Sequence, residues 1–162
     1  MTLKSADNER VALFAGSFNP FTRGHLDILR RGLNIFDRVV VCVGYNVSKT
    51  TLDDNEIQSR LDRIRAAVGN NPRVEVVAYS GLTVDAAKHF GAVALLRGVR
   101  SVSDFDYESR MADINRKIAG IDTVMLLAAP EWASVSSSVV RELEGFGYDV
   151  SAFLPDNNEL QK

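Results

Sequence analysis

The ten residues Gly16-Ser17-Phe18-Asn19-Pro20-Phe21-Thr22-Arg23-Gly24-His25 have the types and spacing of a phosphate-binding turn. Gly16 lets the backbone approach a ligand closely. Ser17 offers a hydroxyl and an N–H, and Pro20 stiffens the loop. Thr22 is placed to cap a helix, which puts Gly24 and His25 in the first helical turn. Free N–H groups and the helix dipole favour negative charge there. Gly24 leaves room for a phosphate, and His25 can donate a hydrogen bond to it. A lone His in a first turn is ordinarily a packing residue; with Gly16, Ser17, Pro20, Thr22 and Gly24 in register around it, the chemical role outweighs that one. The expected ligand is a nucleoside triphosphate. Neither G-x-G-x-x-G nor G-x-x-x-x-G-K-[ST] occurs, so neither the dinucleotide fingerprint nor the Walker loop supplies the site.

Other turns carry compatible groups. Leu96-Arg97-Gly98-Val99-Arg100 sets two arginines around a glycine, and guanidinium forks suit phosphates. Asp104-Phe105-Asp106-Tyr107-Glu108 follows and also fits an acidic helix start. In Trp132-Ala133-Ser134-Val135-Ser136-Ser137-Ser138 a serine cluster opens a helix and can serve a second anion, or simply cap. Ser48-Lys49 and Gly81 to Thr83 add weaker candidates. His89 lies near a helix C-terminus, where a cation is favoured without any chemistry. Cys42, inside Val39-Val40-Val41-Cys42-Val43, behaves as a small buried hydrophobe.

These turns need elements to hold them. Five short apolar runs, Val11 to Ala15, Val39 to Val43, Val74 to Ala78, Val93 to Leu96 and Val124 to Ala128, do not alternate with polar residues. Such runs fit strands buried on both faces of a parallel sheet. Between them Leu26, Leu29, Leu33 and Phe36, then Ile57, Leu61, Ile64 and Val68, then Met111, Ile114 and Ile118 recur at helical spacing. Gly69, Gly91 and Gly120 stand where helices stop. A last helix is expected from about Ser136 to Glu144, followed by a tail that docks through Val150, Phe153 and Leu154 and then frays. The pattern predicts an α/β fold, a doubly wound parallel five-stranded sheet of the Rossmann-like kind. Ligands bind outside the carboxyl ends of such strands, where the turns above lie.

The 162 residues, 46% hydrophobic and 25% charged, suit a soluble globular chain with an ample core. Residues 1–9 read as a flexible leader and 10–162 as one domain. A formal net charge of -2 disfavours nucleic acid and anionic membrane surfaces as partners. No run is long enough to span a membrane, and no apolar signal segment opens the chain. One cysteine cannot form an intrachain disulfide, which suits a reducing compartment, so a cytoplasmic location is expected.

Taken in order, these turns resemble the adenylyltransferases of the [HT]-x-G-H nucleotidyltransferase superfamily, in particular the phosphopantetheine adenylyltransferases. The resemblance runs from about Val11 to Pro155. It implies adenylyl transfer from ATP to 4'-phosphopantetheine, with magnesium as the expected metal and a homo-oligomer, a hexamer, as the expected assembly. It implies that His25 contacts the α-phosphate and that Ser17 and Phe18 touch ATP, with Ser17 also near the acceptor. By the same resemblance Lys49, Thr83 and Arg97 hold 4'-phosphopantetheine. Gly98, Val99, Arg100, Glu108 and Trp132, Ala133, Ser134, Val135, Ser136, Ser137 and Ser138 line the nucleotide site. The family's usual Asp is Asn19 here, which removes a charge near the phosphates. The attacking group is already a phosphate anion, so positioning and charge stabilisation suffice without a general base. Two alternatives share parts of the pattern. A nicotinate or nicotinamide mononucleotide adenylyltransferase, or a cytidylyltransferase, has the same Gly-His turn, but Thr22, Arg97 to Arg100 and Asp104 to Glu108 speak against it. A nucleotide-binding module without catalysis would not need the acceptor-binding cations Lys49 and Arg97.

Overall fold

The computed structural model describes residues 9–45 and 53–162. Five strands, β1 (Val11–Gly16), β2 (Arg38–Tyr45), β3 (Val74–Ser80), β4 (Ala94–Val99) and β5 (Asp122–Leu127), alternate with α1 (Arg23–Gly32), α2 (Asp54–Val68), α3 (Thr83–His89) and α4 (Val102–Ala119); α5 (Ser137–Gly145) follows the last strand. The strands pair in the order β3-β2-β1-β4-β5, and every pairing is parallel. The chain winds outward from β1 to β3, then returns to the other side of β1. The point of reversal therefore lies between the carboxyl ends of β1 and β4, the place such sheets offer a ligand.

The non-alternating apolar runs have a direct explanation. Successive side chains of a strand point to opposite faces, and both faces are covered. Ala12, Phe14, Val39, Val41 and Val43 belong to one core with α1 and α2. Val11, Leu13, Ala15, Val40 and Cys42 belong to the opposite core with α3. Cys42 is buried, and burial pushes its thiol up to about 11.

Close packing sets α1 against β4. A Cβ at Gly98 would stand 2.9 Å from Cγ1 of Ile28, and one at Gly32 only 2.5 Å from Cδ2 of Leu96. The middle and the end of α1 are thereby held against β4. The far end of α1 is also tied down by Arg73. Arg73 Nε donates to Asp37 O at 2.9 Å and Nη2 to Phe36 O at 2.9 Å and to Leu33 O. These charge-assisted bonds hold the carbonyls of the C-cap and of the connection that follows α1. Arg73→Ala is expected to cost about 1–2 kcal/mol in denaturant unfolding while leaving ligand affinity unchanged.

Four boundaries differ from the sequence expectation. The strand pairing carries β4 through Val99 and starts β5 at Asp122. α1 closes at Gly32, with Phe36 beyond it although still in the core. The tail does not fray after Pro155: Leu160 is buried in the α1–α2 core, Asn158 N donates to Ala66 O at 2.8 Å, and Arg30 Nη2 donates to Glu159 O at 2.9 Å. One leucine, a few hydrogen bonds and ion pairs of Arg23 with Asp156 and Glu159 secure this turn, too short a signal to show as periodicity. The stripe Met111, Ile114 and Ile118 is helical but faces outward, as do Phe105 and Tyr107; Glu108 is the buried residue of α4.

Candidate active site

A cleft of about 270 Å³ opens at the reversal point, lined by the end of β1, the first turn of α1, the end of β4, α4 and the start of α5. Thr22 caps α1 through a reciprocal pair. Its Oγ1 accepts from the His25 backbone N–H at 3.4 Å, and its own N–H donates to His25 Nδ1 at 2.9 Å. A backbone N–H can only donate, so Nδ1 is the acceptor and the imidazole proton sits on Nε2. The ring stacks on Phe21 (centroids 5.4 Å apart, 22° between planes) and meets the edge of Phe18 at 5.1 Å. Burial, then Arg100 and Arg97, lowers its pKa from 6.5 to about 4. At neutral pH His25 is therefore an uncharged, oriented Nε2–H donor and a poor proton acceptor.

The same lowering gives a stability prediction. Between pH 6.5 and about 4 the unfolded chain holds a proton on this group that the folded chain lacks. Stability is accordingly full above that window and falls as pH drops through it, by up to about 3 kcal/mol at the acid end. His25→Gln removes the titrating group and should flatten this part of the stability–pH curve. Parallel curves for the two proteins between pH 6.5 and 4.5 would show that His25 is not the group responsible.

Arg97 and Glu108 form a fork-to-fork pair. Arg97 Nε donates to Glu108 Oε2 at 2.9 Å and Nη2 to Oε1 at 2.6 Å, while Nη1 donates to Ala15 O at 2.5 Å. The Glu108 side chain is only 10% exposed. Arg100 pairs with Asp104 at 3.1 Å. Across the cleft, Ser136 caps α5 by accepting from Val139 N at 3.1 Å, and Ser137 Oγ donates to Pro20 O at 2.8 Å. Ser137 has donated its O–H, but Ser136, like Ser138, which accepts from Arg141, keeps an O–H to donate, so hydroxyls and first-turn N–H groups of α5 can both serve an anion. Two helix N-termini and two arginines bound one cleft, an arrangement suited to a polyphosphate.

Of the residues singled out above, Ser17, Phe18, His25, Arg97, Gly98, Arg100, Glu108, Trp132, Val135, Ser136, Ser137 and Ser138 line this cleft. Val99 is buried in β4 beside it, and Ala133 and Ser134 are not among its lining residues. Thr83 opens α3, outside the lining. Lys49 lies outside the described residues. Phe14, Ile28, Asp104 and Ala128 also line the cleft. Asp104 was within reach of inference from the acidic run. Phe14 and Ile28 carry no chemical signal in a sequence and reveal themselves only through packing.

The sheet order, the cleft at its reversal point and the capped Gly-His turn are those of a Rossmann-like nucleotidyltransferase. A profile of the cytidylyltransferase-like family matches residues 13–143. The phosphopantetheine adenylyltransferase of Porphyromonas gingivalis is 51% identical over 148 residues, covering 91% of this chain and 95% of that one. That of Bacteroides fragilis is 44% identical over 151 residues, covering 93% and 99%. The chain belongs to the cytidylyltransferase-like family and, within it, to the phosphopantetheine adenylyltransferases. Among solved structures, a bifunctional NMN adenylyltransferase/ADP ribose pyrophosphatase from Francisella tularensis, complexed with AMP and a manganese ion, shares the fold. Its TM-score is 0.64 at 14% identity, over 91% of this chain and 44% of that one.

Proposed function

We propose that the chain transfers the adenylyl group of ATP to 4'-phosphopantetheine, giving dephospho-coenzyme A and pyrophosphate. The relatives of up to 51% identity that bear this activity in their name support it. The observation that carries the mechanism is the oriented Nε2–H of His25 in a cleft lined by helix N-termini and arginines. The acceptor phosphate attacks the α-phosphorus, the bond to the bridging oxygen of pyrophosphate breaks, and charge grows on the α-phosphoryl oxygens. His25 donates to that charge without transferring a proton. The N–H groups opening α1 and α5, with Arg100, hold the triphosphate. Arg97 and Lys49 hold the acceptor phosphate. Thr83 is retained as an acceptor contact from the family resemblance alone.

Magnesium enters as part of the MgATP substrate. The ion keeps several waters and binds largely through substrate phosphates, while the cleft's carboxylates, Asp104 and Glu108, are engaged by Arg100 and Arg97. No group of His, Cys, Asp or Glu among the described residues is arranged as a metal cage. A homo-oligomer belongs to the same proposal, with the exposed Phe105, Tyr107, Met111, Ile114 and Ile118 of α4 as apolar surface available for burial; light scattering of the purified protein reads the subunit number. No helix among the described residues is long and apolar enough to cross a membrane, and a cytoplasmic location is part of the proposal.

Pyrophosphate release from ATP, assayed with 4'-phosphopantetheine and separately with nicotinate or nicotinamide mononucleotide, tests the assignment. Release with the first acceptor alone is expected. Release only with a mononucleotide would transfer the chain to the sister activity, and ATP binding with no release for any acceptor would make it a non-catalytic module. Lys49→Ala is expected to raise the KM for 4'-phosphopantetheine more than that for ATP.

A further inference from the structure

The loop between β1 and α1 is gripped by its carbonyl groups from two sides. Arg60, in α2, donates through Nη1 to Ser17 O at 3.2 Å. Arg141, in α5, donates through Nη1 to Asn19 O and through Nη2 to Ser138 Oγ at 3.4 Å. Ser137 donates to the next carbonyl, Pro20 O, at 2.8 Å. Three of the four carbonyls from Ser17 to Pro20 thus take a side-chain donor from a distant helix. Neither arginine lines the cleft.

The residue inside this grip is Phe18. Its φ is 45°, and its side chain is 3% exposed. A bulky residue holds that left-handed conformation only where its surroundings over-determine it. Its ring is wedged between Phe14 at 5.2 Å and Phe21 at 5.3 Å and meets the His25 imidazole edge-on at 5.1 Å. The carbonyl grip therefore sets the backbone that sets the Phe18 ring, and the ring is one wall of the slot that orients His25. Arg141 has a second effect. It ties the loop to α5, whose first turn faces the same cleft, so the two phosphate-facing elements form one unit.

We propose that Arg60 and Arg141 are positioning residues for adenylyl transfer, a two-sided clamp on the carbonyls of residues 17–20 that acts through Phe18 on His25. The proposal rests on the transfer reaction assigned above. Misplacing a catalytic group by about 1 Å costs up to roughly 100-fold. Arg141→Ala is expected to lower kcat roughly 10- to 100-fold with a smaller change in either KM. Arg141→Lys, which keeps one donor for Asn19 O, should recover most of it. Arg60→Ala should be milder, because Arg141 and Ser137 still hold the loop, and the double Ala variant should lose more than the product of the single losses.

An arm independent of substrate separates the clamp from the reaction. Nitrogen-15 NMR of His25 in the parent chain should show an unprotonated Nδ1 at neutral pH and no titration near pH 6.5. In the Arg60→Ala/Arg141→Ala chain, loss of the slot should shift titration toward the ordinary range. Unaltered His25 resonances and titration in the double variant overturn the clamp, as does a KM increase for 4'-phosphopantetheine with kcat unchanged. Failure of Arg141→Lys to recover activity also overturns it. A parent chain that releases no pyrophosphate overturns the assigned reaction instead, and the NMR arm still decides the clamp.

Discussion

His25→Ala is expected to turn over on the order of 100-fold or more slowly than the parent chain while remaining folded. A preorganised donor aimed at developing charge contributes roughly 3 kcal/mol to the transition state, judged from removal of oxyanion-hole donors. The geometry adds two refinements. First, Nδ1 is occupied by the Thr22 N–H, so the loss belongs to Nε2–H donation and not to a missing base. The rate should therefore show no limb attributable to a general base near pH 6.5. Second, alanine leaves the Thr22 N–H without its acceptor beside a side chain that is 1% exposed, at a cost of about 1–2 kcal/mol. His25→Gln places an amide at the third helical position, where glutamine can reach back to the cap. It should recover the stability and only part of the rate. Stopped-flow or steady-state pyrophosphate release, with denaturant unfolding on the same samples, reads both quantities. Turnover of His25→Ala near that of the parent chain would remove His25 from the mechanism.

Arg97→Ala is expected to be the most damaging single change at β4, through both folding and function. Removing the guanidinium strands the Glu108 carboxylate, which is 10% exposed and accepts two bonds from it. Breaking a buried pair from one side costs about 3–5 kcal/mol. Arg97 is itself 33% exposed, so the lower part of that range applies. Replacing both partners by apolar residues of similar size, Arg97→Met with Glu108→Leu, removes the stranded charge and should recover most of the unfolding free energy. On the proposed assignment it should not recover acceptor binding, because the Arg97 cation is gone and the neighbouring Arg100 is paired with Asp104. The single and double variants thus separate the two roles. If the double variant regains both stability and a normal KM for 4'-phosphopantetheine, Arg97 is a structural residue only. Glu108→Gln should be intermediate, with a KM effect larger for the acceptor than for ATP, because Glu108 orients the fork of Arg97.

Much of the fold could be read ahead from the chain because its signals are local. Val39 to Val43 reads as a doubly buried strand since no position along it tolerates water. Thr22 reads as a cap because its hydroxyl sits three residues before His25, and Gly69 and Gly120 close helices where the backbone turns to φ 64° and 67°. The convergence of Ser17, His25, Arg97, Arg100 and Ser136 on one cleft follows from parallel strands, which bring every β-to-α turn to the same sheet edge. What escaped depends on long-range geometry. Arg60 and Arg141 look like ordinary solvated helix residues until their carbonyl partners, 43 and 122 residues away, are seen. The pairing of Arg97 with Glu108 was equally hidden: both residues were legible as site candidates, but not as partners. Met111, Ile114 and Ile118 show the reverse difficulty. Their spacing marks a helix, and spacing alone does not say whether an apolar stripe faces inward.

The position of Cys42 makes the chain its own unfolding reporter. The single thiol is 1% exposed, lies in the core on the α3 side of the sheet and has its pKa pushed up to about 11. A thiol reagent near neutral pH meets almost no thiolate in the native protein, so modification must pass through opening of the β2 region. Labelling rates in rising denaturant therefore distinguish local from global exposure of this half of the molecule. No engineered cysteine or attached dye is needed to compare the variants above.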